Sequence, residues 1–433
     1  MDRTDVERAV KLAGLALPAE AAFEVTGAEP VLASPHFLAT GAAAARLLTG
    51  LAAAELWWQR TGRRQQVVVD ARHAAASLRS YQYARPAGTP EQSLESLAAR
   101  SGAPPRLRIT RIMAARDAFE LEAAFIARRV CGGAVRSKEE WAAHPQGQVI
   151  SGLPAVTVTK IGQAPPVTLP DGDRPLSGVR VLDLTRVLAG PTCAKTLAEH
   201  GADVLHVSAP HLEGGGPFEM ETGIGKRQAA LDLNDPDQAA TLHDLIAGAD
   251  VFSQGYRLGT LARRGFSPAQ VAQARPGIVY VSENCYGHVG PWAGRPGWEQ
   301  LGQAATGMSF REGQAAADRV PRLAPAAVND YSTGFLAAYG VMTALSRRAA
   351  EGGSWHVQVS LCQTCMWYQR LGDDNDAGAT DLGDIEPFTA VMDTSDFGTI
   401  RYLTPAVRMS ETPPRWDLPP ARVGAHEPTW LTR

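Results

Sequence analysis

An aspartate stands in the run Asn329-Asp330-Tyr331-Ser332-Thr333-Gly334, directly ahead of a long apolar stretch. Two roles are open to it. At a helix start, Asp satisfies orphan backbone N–H groups as an N-cap or first-turn acid. A carboxylate can also act as a nucleophile and carry a covalent acyl group. The short basic turn Gly223-Ile-Gly-Lys226-Arg227 is a second candidate. Lys and Arg in such a turn meet phosphate or pyrophosphate, although ordinary solvated turns have the same composition. His288 lies in the loop run Tyr286-Gly-His-Val-Gly-Pro-Trp292. His206 and His356 fall in expected strands and His200 at a helix end, positions that suit packing or capping. Neither His-Glu-x-x-His nor Gly-x-Ser-x-Gly occurs, so zinc-protease and α/β-hydrolase chemistry lose support. The turn Thr185–Pro191 lacks the spaced glycines of a dinucleotide site, and NAD or FAD loses support with it.

The residue pattern supplies elements that would hold these groups. Val179–Leu184 is an apolar strand, Gly190–His200 a helix stopped by Gly201, and Ala202–Val207 the next strand. Strand, helix and strand in about thirty residues make a βαβ unit and hence a parallel sheet, which binds ligands at the carboxyl ends of its strands. The rhythm continues with a helix over 236–247, a strand over 250–252, helices over 258–264 and 267–274, and a strand over 277–282. A long helix to about Ala350 and a strand over 355–360 follow. Earlier, Thr40–Gln59 reads as a mostly buried helix and Gln66–Asp70 as a strand; residues 150–175, rich in Pro and Thr, read as a linker. After Leu371 the chain turns acidic and Pro-rich, and an extended tail lying on another part of the protein or on a partner is expected.

Two segments share one plan. Thr40-Gly41, an Ala-rich helix, Thr61-Gly62 and Val67–Asp70 parallel Thr333-Gly334, an Ala-rich helix, Gly352-Gly353 and Val357–Ser360. Matching the Thr-Gly pairs sets Phe37 where the second segment has Asp330, so the carboxylate belongs to the second segment alone. Convergence of a common helix–turn–strand plan is the other explanation.

The chain has 433 residues, 45% of them hydrophobic, enough for a large core and against global disorder. Its length allows about two to four domains at roughly 100–200 residues each. The net charge of −3 argues against a nucleic-acid partner. No apolar run approaches a membrane span. Five cysteines, odd in number and scattered, argue against a disulfide framework or zinc site and fit a reducing compartment. The start Met1-Asp-Arg-Thr-Asp-Val lacks the apolar core of a secretory signal, and a cytoplasmic location is expected.

Seven ordered stretches together resemble the family III CoA-transferases, the CaiB/BaiF family of formyl-CoA and carnitine CoA-transferases and α-methylacyl-CoA racemase. They are Pro175–Pro191, Gly201–Val207, Gly225–Leu233, Ala249–Gly259, Arg275–Val281, Tyr286–Pro291 and Asn329–Ala338. The resemblance implies an α/β fold with a Rossmann-like open, mostly parallel sheet, here with a partial duplicated N-terminal segment and a reduced small domain. It divides the chain into a partial copy without the catalytic Asp and with small-domain-like pieces (1–150), a linker (151–175), the Rossmann-like CoA-transferase domain (176–372) and an acidic, Pro-rich tail (373–433). It implies Asp330 as a nucleophile that takes the acyl group of an acyl-CoA as an anhydride. The CoA thiolate then makes an aspartyl-CoA thioester, and a carboxylic acid accepts the CoA. Val187, Lys226, Tyr256 and Arg257 become the candidates for CoA contact. Coenzyme A enters as substrate, with no metal or redox nucleotide, and a homodimer, often an interlocked one in that family, is the expected assembly. Leu188 stands where formyl-CoA transferase has Gln, Trp298 where the racemases have a histidine base, and Glu299 where Asp is frequent; His206 and Ser208 replace Lys and Glu. The loss of the histidine base disfavours a racemase or isomerase. A degenerate member that binds CoA esters or a partner without turnover is the alternative to the transferase.

Overall fold

The structure, a computed structural model, describes residues 2–18, 20–91, 113–212, 218–373 and 382–432. Its strands are β1 (Phe23–Thr26), β2 (Val67–Asp70), β3 (Arg85–Pro86), β4 (Val156–Gly162), β5 (Arg180–Asp183), β6 (Asp203–Ser208), β7 (Arg227–Ala230), β8 (Val251–Gln254), β9 (Val279–Asn284), β10 (Ser354–Ser360), β11 (Thr389–Thr394), β12 (Gly398–Leu403) and β13 (Val407–Met409). The helices that bear on the site are α1 (Leu38–Thr61), α2 (Ala71–Ser77), α3 (Ala189–Glu199), α4 (Pro236–Ala247), α5 (Pro268–Ala274), α6 (Glu299–Thr306), α7 (Val328–Glu351) and α8 (Leu361–Leu371).

The βαβ rhythm folds into a seven-stranded sheet of order β4-β10-β9-β8-β5-β6-β7. All pairings in it are parallel except β10 with β4. The apolar residues at the sheet's centre, such as Val181 and Leu182 of β5 and Val251 and Phe252 of β8, are buried because helices cover both faces of such a sheet. From β5 the chain proceeds one way through β6 and β7, then returns to the other side for β8, β9 and β10. That reversal opens a crevice at the carboxyl ends of β5 and β8, where α/β sheets take their ligands.

The expected linker over 151–175 is corrected. Val156 and Val158 alternate with Thr and face Val359 and Val357 across an antiparallel pairing, so β4 closes the sheet edge. The helix expected over 258–264 shrinks to a 3₁₀ turn at Ala262–Arg264. The expectation for the tail over 373–433, extended and lying on another part of the protein, is corrected only in its first part. That part holds β11 and β12, which pair with each other and with β3, and β13, which pairs with β2. Beyond β13 the tail lies across the large sheet's layer, where Trp416 Nε1 donates to Lys195 O (2.9 Å), Gly225 N to Leu418 O (2.8 Å) and Trp430 Nε1 to Leu245 O (2.9 Å). The acidic residues Asp374, Asp376 and Asp381, and most of the loop expected over 83–107, lie outside the described residues.

A second, smaller sheet has the order β1-β2-β13. β1 is parallel to β2 and β13 is antiparallel to it. In the large sheet β10 likewise sits between parallel β9 and antiparallel β4. Helices α1 and α7 both have 24 residues, and each boundary of one lies 290 residues from that of the other. A Cβ on Gly50 of α1 would come within 2.6 Å of Val67 Cγ1, and one on Gly340 of α7 within 2.6 Å of Val357 Cγ1. The same 290-residue shift relates both pairs. It aligns Thr40 with Asp330, and so replaces the register that matching Thr-Gly pairs gave.

Glycine at 340 is a packing requirement. A side chain there meets Val357 and Val156 (2.8 Å) where helix and sheet touch. Gly340→Val is expected to lower unfolding free energy by about 1–3 kcal/mol through overpacking, read as a lower urea midpoint at unchanged slope. Among the described residues no helix is long and apolar enough to cross a membrane.

Candidate active site

A cavity of about 310 Å³ occupies the crevice beyond β5 and β8. Asp330, Val187, Tyr256 and Arg257 all line it. Four of the five site residues expected from the sequence are thus brought together.

Lys226 is the exception, and its expected role at the CoA phosphate is corrected. It is 1% exposed, and its Nζ donates to Asp183 Oδ2 (2.9 Å) and Pro191 O (2.8 Å). Asp183 is fully buried and also accepts from Thr185 N and Oγ1. Desolvation opposes the Asp183 anion, but Lys226 and the hydrogen bonds win, and its carboxyl stays below the usual carboxylate range. The ammonium is committed to holding the end of β5. The neighbouring residue of the expected basic turn, Arg227, belongs to β7 and pairs with Asp203 at 3.0 Å. Among the cavity residues the guanidinium groups are those of Arg186, Arg257 and Arg295. The sequence signal for Arg186 is its place three residues after the end of β5, at a sheet switch point.

Val187 has φ 71°, in the left-handed region. A β-branched residue rarely adopts that conformation, and such strain costs about 1–3 kcal/mol and gathers at ligand sites. Here it turns the chain from β5 into the first turn of α3 at the cavity wall.

Asp330 is the third residue of α7. The helix has Ala327 as its N-cap and no side-chain capping bond. The capping role left open by the sequence is filled by a different residue. Glu299, at the start of α6, accepts from Asn329 N (3.1 Å) and Asp330 N (3.3 Å). Gln303 holds the same Glu299 oxygen through its amide (2.9 Å) and accepts from Ala324 N (2.9 Å). The Asp330 carboxyl is therefore free of capping and faces the cavity. Burial raises its pKa well above the ordinary value, and the charges of Glu299 and Glu283 raise it further. A close approach fixes the helix: a Cβ on Gly334 would strike Ala189 O at 2.5 Å, so α7 runs against the start of α3.

The N-terminal pieces close the site's outer side. Glu122 bonds both Arg136 and Arg295, the latter at 3.0 Å. The Arg295 guanidinium lies 4.0 Å from the Trp292 ring centre. Gln146 donates to Tyr286 O (2.9 Å) and Val289 O (2.7 Å) and accepts from Trp292 N (2.8 Å). Residues 122–146 thereby clamp the loop that carries Cys285, Arg295, Trp298 and Glu299 into the cavity wall.

The other candidates are committed elsewhere. The ring nitrogen Nε2 of His288 meets Val359 O (3.0 Å), and His356 meets Ser282 Oγ (2.8 Å). Cys362 and Cys365 form a Cys-x-x-Cys pair that counting the cysteines as scattered overlooks. Both are fully buried in α8, and burial raises both thiols, so neither has thiolate character.

Residues 176–372 match CoA-transferase family III. An acyl-CoA transferase of Gibberella moniliformis is 33% identical over 370 residues, 73% of this chain and 64% of that protein. An acetyl-coenzyme A transferase of Hypoxylon pulicicidum is 40% identical over 215 residues, 48% of this chain and 36% of that protein. The beta subunit of a succinyl-CoA–L-malate CoA-transferase of Chloroflexus aurantiacus is 30% identical over 207 residues, 44% of this chain and 50% of that subunit. The chain thus spans between 36% and 64% of the length of these relatives. Residues 176–372, which hold the switch-point crevice and Asp330, are thus similar to CoA-transferase family III.

Proposed function

We propose that this protein moves CoA from an acyl-CoA donor to a carboxylic acid acceptor, with Asp330 as the nucleophile. The observation that carries the reading is the position of the Asp330 carboxyl, excused from capping by Glu299 and set in the switch-point cavity. The carboxylate attacks the thioester carbon, the C–S bond breaks, and an aspartyl anhydride forms. The thiolate attacks the aspartyl carbon, the donor acid leaves as a carboxylate, and an aspartyl-CoA thioester results. The acceptor carboxylate repeats the sequence in reverse and departs with the CoA. Holding the reactants together offsets the weak nucleophilicity of a carboxylate. The electrostatics favour the covalent states. An acylated Asp330 carries no charge, so the burial and the carboxylates that oppose its anion do not oppose the anhydride or the thioester. Arg186 and Arg257 suit the CoA phosphates, and Val187 and Tyr256 flank the path between them and Asp330.

The architecture is part of the proposal. The 290-residue correspondence of α1 with α7, and of β2 with β10, supports a partial first copy joined to a fuller second one. β4, which follows the first copy, completes the second copy's sheet; β13, which follows the second, completes the first's. An interlocking expected between two chains is in this reading internal to one. Thr40 stands at the position of Asp330, so each chain carries one nucleophile.

The test is incubation with a panel of acyl-CoAs and acids, followed by intact-protein and peptide mass measurement. A CoA adduct on the peptide containing Asp330, with CoA exchanged onto an acid, is the expected result. CoA binding without adduct or exchange across the panel would leave the degenerate alternative standing instead.

A further inference from the structure

Glu283 lies at the carboxyl end of β9, paired in register with Val359 of β10, and lines the same cavity as Asp330. Its carboxyl is wedged between two positions that have no side chain. A Cβ on Gly190, in the first turn of α3, would come within 2.6 Å of Glu283 Oε2; one on Gly255, after β8, within 3.1 Å of Oε1. The side chain is enclosed by protein except where it opens to the cavity. Among the described residues no hydrogen bond or ion pair holds it.

That lack of a partner sets it apart. Asp183 has Lys226, Glu199 has Arg46, and Glu221 has Lys195. A half-buried carboxyl without a partner, open only to a cavity, is costly and suits a place that serves a ligand. The groups that face it are Asp183 on β5, Cys193 on α3 and Asp330 on α7, and Arg186 and Arg257 line the same cavity. Burial first, and Asp183 second, raise Glu283 to about 8, so it carries a proton at neutral pH.

Resting on the transferase reading, we propose that the Glu283 carboxyl gives its proton to the CoA sulfur as Asp330 displaces it, and takes it back when the thiol attacks the anhydride. In the first step the Asp330 oxygen bonds to the acyl carbon and the C–S bond breaks. The electron pair leaves with sulfur, and the Glu283 proton joins it, giving a thiol and a Glu283 carboxylate. In the second step sulfur bonds to the aspartyl carbon, its proton returns to Glu283, and the donor acid leaves as a carboxylate. An alkyl thiol titrates near ~8.5, close to Glu283, and a proton moves between such matched groups with little driving force needed either way. Thiol held this way stays in the cavity and does not diffuse off as a hydrated thiolate.

The test is single-turnover acylation of the full chain with the donor that gives the Asp330 adduct, followed by mass measurement across pH, for wild type and Glu283→Gln. The wild-type rate is expected to fall as pH passes about 8 and Glu283 loses its proton. Glu283→Gln is expected to be slower by about 10²–10⁴-fold, the usual contribution of a positioned acid, and to lack the falling limb. Wild-type acylation should also be slower in D₂O, a readout independent of how well the variant folds. A variant that keeps the wild-type rate or the falling limb, or wild-type acylation insensitive to D₂O, would overturn the role of Glu283. Either result leaves Asp330 as nucleophile intact, whereas an absent adduct in wild type overturns the transferase reading itself.

Discussion

Asp330→Ala is expected to lower CoA transfer at least a thousandfold, about 4 kcal/mol of barrier at 1.36 kcal/mol per tenfold. The loss should appear in kcat, with acyl-CoA binding little changed, because the carboxyl forms its bond only after the substrate is held. The fold should not suffer. Asp330 makes no capping bond with its side chain, and its carboxyl is opposed by burial and by Glu299 and Glu283. Removing it takes away a group that the folded state disfavours in its charged form, so the thermal unfolding temperature of the variant should equal or exceed the wild type's. Wild-type turnover in Asp330→Ala would end the nucleophile assignment. Lost turnover with a large drop in unfolding temperature would mean that the side chain is structural.

Lys226→Met carries the largest expected effect on stability. The substitution keeps the apolar stem and removes the ammonium from beside Asp183, which is fully buried. Breaking a buried pair from one side leaves an uncompensated charge and costs about 3–5 kcal/mol. The pH dependence has a definite sign. Lys226 keeps the Asp183 pKa below its unfolded value, so the pair stabilises the fold above the ordinary carboxylate range, and that contribution fades as pH falls through the lowered pKa. In the variant Asp183 can take up a proton, so the deficit should be largest near neutral pH and shrink in acid. Urea unfolding of both proteins at pH 7.5 and pH 5 reads this directly. A variant with wild-type stability and a raised KM for acyl-CoA would return Lys226 to the CoA phosphate.

The sheet was legible because its signals are local. Val179–Leu184, Ala202–Val207 and Gly277–Ser282 are short apolar runs bounded by glycine or polar residues, and each lies within one or two residues of its strand. The motif around Asp330 marks a residue that lines the cavity, although it gives no sign of the freedom from capping. That depends on Glu299, 31 residues earlier, reaching across to the start of α7. The Lys226 assignment failed for the same reason. A lysine in a Gly-rich turn looks available for phosphate until Asp183, 43 residues away, is brought to its ammonium. β4 was hidden by composition: the Pro around it and the Thr and Lys within it mask the alternation of Val156 and Val158 that only a neighbouring strand explains. Glu283 gave no signal at all, since a glutamate at a strand end looks solvated until Gly190 and Gly255 are seen to enclose it.

The crossed closing strands bear on how the chain is made. β2 is synthesised early, yet the strand that covers one of its edges comes near the other end, and the flanking bond from Gln66 N to Ser410 spans 344 residues. At about 5–20 residues per second, that edge waits roughly 20–70 s on the ribosome before β13 exists. An open apolar edge held that long is a template for pairing with another nascent chain. The first sheet is therefore the place where a helper that shields strand edges during translation would have most effect, and where slow or stalled synthesis would first be felt as aggregation.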